Sequence, residues 1–127
     1  YRNTMKDFGH ELKDISIHSP GFITESDEEA IEEQWPIYEQ YMGRIGSERG
    51  WPWPTKDSFV HEVKYGSQYV GSPETVAKKI AHAIRSLGAQ RFDLKYANGP
   101  QPHHKLLKTI ELYATKVVPL VRAELEN

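Results

Sequence analysis

The feature that most constrains the fold is the alternation of strand-like and helix-like segments along a chain of 127 residues. Apolar and β-branched alternation predicts a short strand over 14–18, a weak strand over 65–70 and a clearer one over 91–97. Helical patterns lie between and after these strands. This alternation is typical of a parallel sheet with right-handed crossovers. The chain, residues 1–127, is therefore predicted to form one α/β unit with three strands.

The clearest local signal is the helix start at 71–74, Gly-Ser-Pro-Glu. Serine is a favoured N-cap, proline suits the first helical position, and glutamate complements the helix dipole. An apolar stripe follows at Val76, Ala77, Ile80, Ala83, Ile84 and Leu87. A glycine turn before a helix can also bind an anion, but phosphate cradles usually carry several glycines. The pattern favours a plain helix start, which Gly88 ends.

Three other helices are predicted. Ser26 and Glu29 form a capping box for a helix over 27–42, and a short helix follows over 55–63. The last helix spans 102–125, with its apolar face at Leu106, Ile110, Tyr113, Val117 and Val121 and a kink expected at Pro119. Aromatic residues cluster at Trp35, Tyr38, Tyr41, Trp51 and Trp53. We interpret them as packing, with a ring-stacking surface as the alternative.

Composition excludes several functional classes. The 16 Lys and Arg residues are balanced by 18 Asp and Glu residues, giving a net charge of −2, so a nucleic-acid partner is not expected. The absence of cysteine excludes disulfides and thiolate chemistry. A mean hydropathy of −0.67, with no long apolar run, predicts no membrane span. A cytoplasmic location is expected.

The main candidates for catalytic or metal-binding side chains are six histidines: His10, His18, His61, His82, His103 and His104. No two of them have the i, i+3 or i, i+4 spacing of paired helix ligands, so no metal site is predicted. His82 is expected to be solvated, and His103 and His104 to be neutral residues at a helix start. His18 follows the predicted first strand, the position at which barrel folds gather their chemistry, and is the candidate site histidine.

The predicted units are too few to close a barrel. A barrel of eight strand–helix units needs about 250 residues, and three units are less than half of one. The apolar residues at 1, 5 and 8 already fit a helix that ends near Gly9. The chain is therefore expected to begin inside an element of a larger protein.

Three segments, 21–52, 69–96 and 102–125, resemble the C-terminal part of the luciferase-like flavin monooxygenases, the bacterial luciferase superfamily. The most specific pieces are G-S-P-E-T-V-A-x-K-I, then R-F-x-L, then P-H-x-K-L-L-x-x-I-E-L. The resemblance covers nearly the whole chain. It implies the C-terminal portion, about strands 6–8 with their helices, of a (β/α)₈ TIM barrel.

The resemblance also implies an activity. Members of the family use reduced FMN, usually supplied by a separate reductase, and O₂ to oxidise a small organic substrate. The flavin phosphate site lies mostly upstream of the matched region, so these residues alone are expected to be inactive.

By position, the resemblance implies His18 as the catalytic residue and Ser19, Tyr96 and Asn98 as cofactor-binding residues. The sequence departs from the family pattern at two positions. Pro20 stands where relatives often carry a second histidine, and the charged Lys95 stands in a strand that is usually less charged in relatives.

Two alternatives remain open. The same barrel also serves coenzyme F420-dependent oxidoreductases, and a non-catalytic barrel remnant could act as an assembly or binding module. An open barrel exposes strand edges and helix faces, so a homo-oligomer is expected.

Overall fold

A computed structural model describes residues 1–97 and 99–126. In chain order the elements are α1 (Arg2–Asp7), β1 (Ser16–Ile23), α2 (Asp27–Arg49), α3 (Lys56–Tyr65), β2 (Tyr69–Gly71), α4 (Pro73–Leu87), β3 (Arg91–Lys95), α5 (His103–Leu112), a π-helical turn (Tyr113–Val117) and α6 (Val118–Glu126). The described helices include none that combines the length and apolarity needed to cross a bilayer.

The sheet is parallel, as predicted, and β1 lies in its middle. The amino half of β1 pairs with β3, Ser16 opposite Arg91 and Pro20 opposite Lys95. The carboxyl half pairs with β2, Gly21 opposite Tyr69. If β1, β2 and β3 were consecutive strands of a barrel, β2 would lie between the other two. Here β1 lies between them, and β2, with only three residues, pairs only with the end of β1.

The predicted end of the first strand at His18 is wrong, since β1 continues to Ile23. Proline usually interrupts a ladder because it lacks an N–H. The Ile15 carbonyl points toward β3. Successive residues of a strand direct their backbone groups to opposite edges, so the backbone of Pro20, five residues later, faces the edge next to β2. β2 begins only opposite Gly21, so Pro20 forfeits no ladder bond. Glycine is needed at the next position, where a Cβ would lie 2.4 Å from Leu94 Cδ1 and 2.6 Å from the Tyr69 carbonyl oxygen.

The two faces of the sheet pack against different helices. Face A carries Ile23, Tyr69 and Phe92, and its core includes Val76, Ala77 and Ile80 of α4 together with Leu112 and Val117. Face B carries Phe22 and Val70, and its core is completed by Ala30 of α2 and by Phe59 and Val63 of α3. Side chains alternate between faces along a strand. The sheet is therefore buried on face A and on the carboxyl half of face B.

The connections divide the chain into a frame and an insertion. β1 and β3 are adjacent, and α4 leads into β3 across face A, where α5 and α6 also pack. The segment α2–α3–β2 is inserted between β1 and α4 and covers the carboxyl half of face B. On the amino half of that face, Ser16, His18 and Arg91 are exposed.

Helix α2 runs seven residues past its predicted end at Met42. Gly43 and Gly46 remain helical and buried because tryptophans pack on them. A Cβ at Gly43 would lie 2.4 Å from the Trp53 ring, and one at Gly46 would lie 3.3 Å from Trp51 Cβ. Gly50, with φ of 73°, ends the helix. Both tryptophans keep about half of their surface exposed, so they pack on α2 without joining the core.

The last helix contains a π turn where a kink was predicted. Pro119 has no N–H to donate to a carbonyl in the preceding turn, and the π turn at Tyr113–Val117 lies just before it. In α5, before this turn, the buried face is displaced by one residue from the predicted face. Thr109 and Leu112 are buried, whereas Ile110, which was predicted to face the core, is 42 % exposed.

Candidate functional site

The amino end of α4 is occupied by the chain's own carboxylate. Ser72 caps the helix, its backbone N–H donates to Asp27 Oδ1 at 2.7 Å, and the Thr75 hydroxyl donates to Asp27 Oδ2 at 2.9 Å. Partial burial acts to raise the pKa of Asp27, but the hydrogen bonds from Ser72 and Thr75 outweigh it, so the pKa is lowered. The Gly-Ser-Pro-Glu segment is a helix start, as the sequence predicts.

We expect Asp27→Asn to lower the free energy of unfolding by about 1 kcal/mol at neutral pH, because it removes the negative charge and one of the two acceptor oxygens from an exposed site. The pKa of Asp27 is lower in the folded chain than its unfolded value of 3.8, so the charged carboxylate stabilises the fold above pH 3.8. This stabilisation is lost as the pH falls through the folded-state pKa. The variant should therefore lose less stability than the parent in acid, as measured by urea unfolding from neutral pH downward. Asp14→Asn, at an exposed position, is the control. Identical acid profiles for Asp27→Asn and its parent would contradict the assignment.

Lys79 joins α3 to the sheet. Its Nζ donates to the carbonyls of Glu62 at 3.1 Å, Val63 at 2.8 Å and Gln68 at 2.6 Å, and lies 4.6 Å from the Tyr69 ring centroid. Burial lowers the pKa of Lys79 to about 8, and the Glu62 carboxylate acts in the opposite direction. These acceptors include carbonyls of the last turn of α3, so Lys79 has a structural role.

A cavity of about 180 Å³ lies between α2 and the carboxyl half of face B. We call it the α2 cavity. Its lining comes from β1, β3, the residue before β2 and one side of α2: Pro20, Lys95, Gln68, Gln34, Tyr38, Tyr41 and Met42. Among the residues that the structure describes, the lining includes one cationic side chain and no acidic one. The carboxyl ends of parallel strands are the usual place for ligands in α/β folds, so this is the candidate functional site.

Gln34 is the most deeply buried polar residue of the α2 cavity, with 2 % of its surface exposed. Gln101, in the segment after β3, donates a side-chain N–H to Gln34 Oε1. This bond takes the acceptor end of the Gln34 amide. Within residues 1–97 and 99–126, the buried side-chain atom without a hydrogen-bond partner is Gln101 Oε1, the other end of the same amide pair. The pair is therefore only partly satisfied.

Tyr38 supplies a hydroxyl that stays protonated at neutral pH. Its ring packs on Phe59 with 4.6 Å between centroids. Burial raises the pKa of Tyr38, and the nearby Glu62 carboxylate raises it further. Tyr38 can thus act as a hydrogen-bond donor to a ligand.

The structure does not gather the predicted site residues in one place. His18 is exposed on the amino half of face B and lines a hollow with Tyr1 and Arg2. It stands opposite Asp93, three residues before the level of Tyr96, which corresponds to about 10 Å along the strand. Its predicted place at the carboxyl end of the strand is therefore wrong, because β1 extends to Ile23.

The other predicted residues have different surroundings. Ser19 is buried in mid-strand, opposite Leu94, whose side chain packs in the face A core. Tyr96 directly follows β3, which ends at Lys95 and not at the predicted residue 97, and Tyr96 is exposed. Asn98 lies outside the described residues. The functional roles of His18, Ser19, Tyr96 and Asn98 stay predictions.

Sequence reasoning missed Gln34. A signal existed, because Gln34 interrupts the apolar spacing of Ile31, Trp35 and Tyr38 on the buried side of α2. A glutamine on such a stripe indicates a buried polar group that needs a partner. Its partner, Gln101, is 67 positions away in sequence and could not be recognised from periodicity.

A second, larger cleft of about 400 Å³ separates the amino ends of α2 and α5. Two ion pairs cross it, Lys105 with Glu33 at 2.9 Å and Lys108 with Glu25 at 3.6 Å, and Glu29 also lines it. His104 also lines this cleft. No group of three His, Asp or Glu side chains in the described part of the chain is arranged to hold a metal ion. The cleft is a boundary between two helices, lined by three carboxylates and two lysine ammonium groups.

No protein-family model matches the sequence, and no curated protein matches it significantly. Solved structures do match. Monooxygenase RslO1 from Streptomyces bottropensis matches with a TM-score of 0.74 and 18 % identity, over 94 % of this chain and 35 % of that one. A second match is the oxygenating constituent of 3,6-diketocamphane monooxygenase from Pseudomonas putida, a type II Baeyer-Villiger monooxygenase in complex with FMN. It has a TM-score of 0.66 and 18 % identity, over 95 % of this chain and 38 % of that one.

Apo-MsnO8 gives a TM-score of 0.56 and 15 % identity, over 89 % of this chain and 35 % of that one. The chain thus spans little more than a third of the length of each of these proteins. At such identities the match concerns the fold. The chain has the fold of a segment of these proteins.

Proposed function

We propose that this chain is the C-terminal segment of a flavin-dependent monooxygenase, which uses reduced FMN and O₂ to oxidise a small organic substrate. The observation that carries the proposal is the fold match over 94 % of the chain to a protein described as a monooxygenase. A second match is a monooxygenase in complex with FMN. The sequence motifs at 71–80, 91–94 and 102–112 support the same family.

Within this proposal, β1 and β3 are two consecutive strands of the barrel, and α2–α3–β2 is an insertion between them. Adjacent parallel strands with α4, α5 and α6 on face A match the strand and outer helix layers of a barrel. Face B is then the inner face. The sequence predicted three barrel strands, and the pairing of β1 with β3 supports two. The α2 cavity would lie at the carboxyl ends of these strands, where barrel enzymes bind substrate.

The described residues fit part of a flavin site and not a whole one. Asp27 takes the donors at the start of α4, so that helix offers no place for a phosphate. The α2 cavity, about 180 Å³ in volume, is smaller than the roughly 300–1,000 Å³ of sites for larger ligands. FMN would supply the oxygen chemistry, while these residues line the substrate side and exclude water. The flavin phosphate would be held by other parts of the protein.

The proposal is tested by flavin binding and oxygen consumption. We expect the full-length protein containing this chain to bind FMN and to consume O₂ with reduced FMN supplied by a reductase. His18→Ala should lower coupling of oxygen use to product if His18 faces the reaction, and Lys116→Ala is the matched exposed control. Failure of the full-length protein to bind FMN would refute the proposal, and unchanged coupling in His18→Ala would remove His18 from the site.

Two alternatives give different results in the same experiment. An F420-dependent oxidoreductase would bind F420 in preference to FMN and would not consume O₂. A non-catalytic module would bind neither. Size-exclusion chromatography of the full-length protein tests the proposed homo-oligomer, which partly exposed apolar side chains such as Leu107 and Ile110 support.

A further inference from the structure

Strand β2 lies at one edge of the sheet, so its outer side has no strand partner among the described residues. We call this side the free edge of β2. The Gly71 carbonyl accepts the Thr24 N–H, which shows that the backbone groups of Gly71 face β1. Successive residues of a strand direct their backbone groups to opposite edges. The N–H and C=O of Val70 therefore point away from β1, toward the free edge.

On either side of Val70, the protein's own side chains satisfy the backbone groups of the free edge. Lys79 Nζ donates to the Gln68 carbonyl at 2.6 Å. The Ser72 N–H donates to Asp27 Oδ1 at 2.7 Å. Among the described residues, no hydrogen bond reaches the N–H or C=O of Val70. Because Val70 is only 2 % exposed and buried backbone groups are almost always paired, this donor and acceptor need a partner.

Val70 lines a surface groove of about 480 Å³ that α2, α3 and α4 border. We call it the β2 groove. Ile31 of α2 and Val63 of α3 supply apolar surface beside Val70. The volume lies within the roughly 300–1,000 Å³ of typical ligand sites, so the groove accommodates a large apolar side chain. A chain lying along β2 could fill the groove and meet the Val70 N–H and C=O together.

The charged groups of the β2 groove favour an acidic ligand. Asp27 is the carboxylate in its lining, and both of its oxygens accept hydrogen bonds from the start of α4. The Lys79 ammonium is held by three backbone carbonyls. Lys64 and His82 also line the groove, are exposed, and form no ion pair among the described residues. The Lys64 ammonium thus remains to pair with a carboxylate of the ligand.

We propose that the free edge of β2 binds an extended peptide segment of a partner protein, which adds to the sheet as a short strand. One residue of an antiparallel segment exchanges two hydrogen bonds with the N–H and C=O of Val70. Its apolar side chain fills the β2 groove, and a neighbouring Asp or Glu of the segment pairs with Lys64. This interaction surface is separate from the α2 cavity and does not depend on flavin binding.

The first test is calorimetric titration of the full-length protein with the peptide acetyl-Glu-Val-Leu-Val-Glu-amide. Methylation of the leucine nitrogen removes the N–H that donates to Val70 and should weaken binding at least about tenfold, the effect of one good hydrogen bond. Methylation of the preceding valine nitrogen, which points away from β2, is the control. Replacing both glutamates by lysine should weaken binding at least about threefold. Absence of binding, or equal affinity of all these peptides, would overturn the proposal.

Two protein variants probe the assigned groups. Val70→Pro removes the N–H at the free edge and no ladder bond, a position at which strands tolerate proline, and should weaken peptide binding about tenfold. Lys64→Glu should weaken binding of the acidic peptide at least about threefold, with Lys116→Glu as the exposed control. Lys64 is exposed, so this variant remains informative if Val70→Pro fails to fold. Unchanged affinity in the folded variants would overturn the assignment.

Amide hydrogen exchange, followed by NMR on the full-length protein, tests the unpaired state of Val70. The Val70 N–H should exchange faster than the Gly71 N–H, which pairs with β1, and should become protected when the peptide binds. If the Val70 N–H is as protected as that of Gly71 without peptide, another part of the protein covers the free edge and the proposal is overturned.

Discussion

Phe59→Ala is expected to lower the free energy of unfolding by about 3–5 kcal/mol, the range for removing a fully buried phenylalanine ring. Phe59 has no exposed surface and packs between the rings of Trp35, 5.8 Å away, and Tyr38, 4.6 Å away. Alanine removes the ring and leaves a cavity that the neighbouring rings can fill only in part. Denaturation by urea, followed through tryptophan fluorescence, measures the loss.

The matched control is Phe8→Ala, because Phe8 is 73 % exposed and should change stability by less than about 0.5 kcal/mol. Phe59→Leu should fall between the two, since it keeps most of the buried volume. A loss below about 1 kcal/mol in Phe59→Ala would show that α3 does not pack on face B as described.

Thr109→Val should cost about 2–4 kcal/mol, although the two side chains have nearly the same shape. Thr109 is fully buried in α5, and its hydroxyl accepts the Ile23 N–H at 3.2 Å and donates to the Ile23 carbonyl at 3.2 Å. β3 ends opposite Pro20, so this edge of β1 has no strand partner at Ile23. Valine would leave both backbone groups buried without a partner.

Thr109→Ser separates the hydrogen bonds from the packing. Serine keeps the hydroxyl and loses one methyl group, so it should cost about 1 kcal/mol. Thr115→Val removes an exposed hydroxyl that donates to the Glu111 carbonyl, and should be nearly neutral. If valine and serine at position 109 had equal effects, the hydroxyl would not be closing the edge of β1.

Helix boundaries illustrate what local pattern can predict. The start of α4 follows from Ser72 and Pro73, because capping depends on residues within one turn of each other. The end of α2 does not follow from Gly43, because this glycine is helical and packs beneath Trp53. Glycine has two uses, ending a helix and admitting a close neighbour, and only the tertiary contact distinguishes them.

The candidate site shows the same limit. His18 stood at the predicted end of a strand, but the ladder with β2 carries β1 five residues further and leaves His18 at the opposite half of the sheet. Gln34 and Gln101 have no sequence pattern in common, and they meet because residues 99 and 101 lie against α2. Site residues are joined by long-range packing, which periodicity within one element does not record.

The sequence by itself determined the element types, the parallel sheet and the resemblance to luciferase-like flavin enzymes, because propensity, capping and periodicity act over a few residues. The tertiary structure decided which strand lies in the middle, which face each helix covers and which polar side chains share a cavity. Those outcomes depend on contacts between distant segments, such as Thr109 with Ile23, whose free energy is gained only when the whole unit packs together.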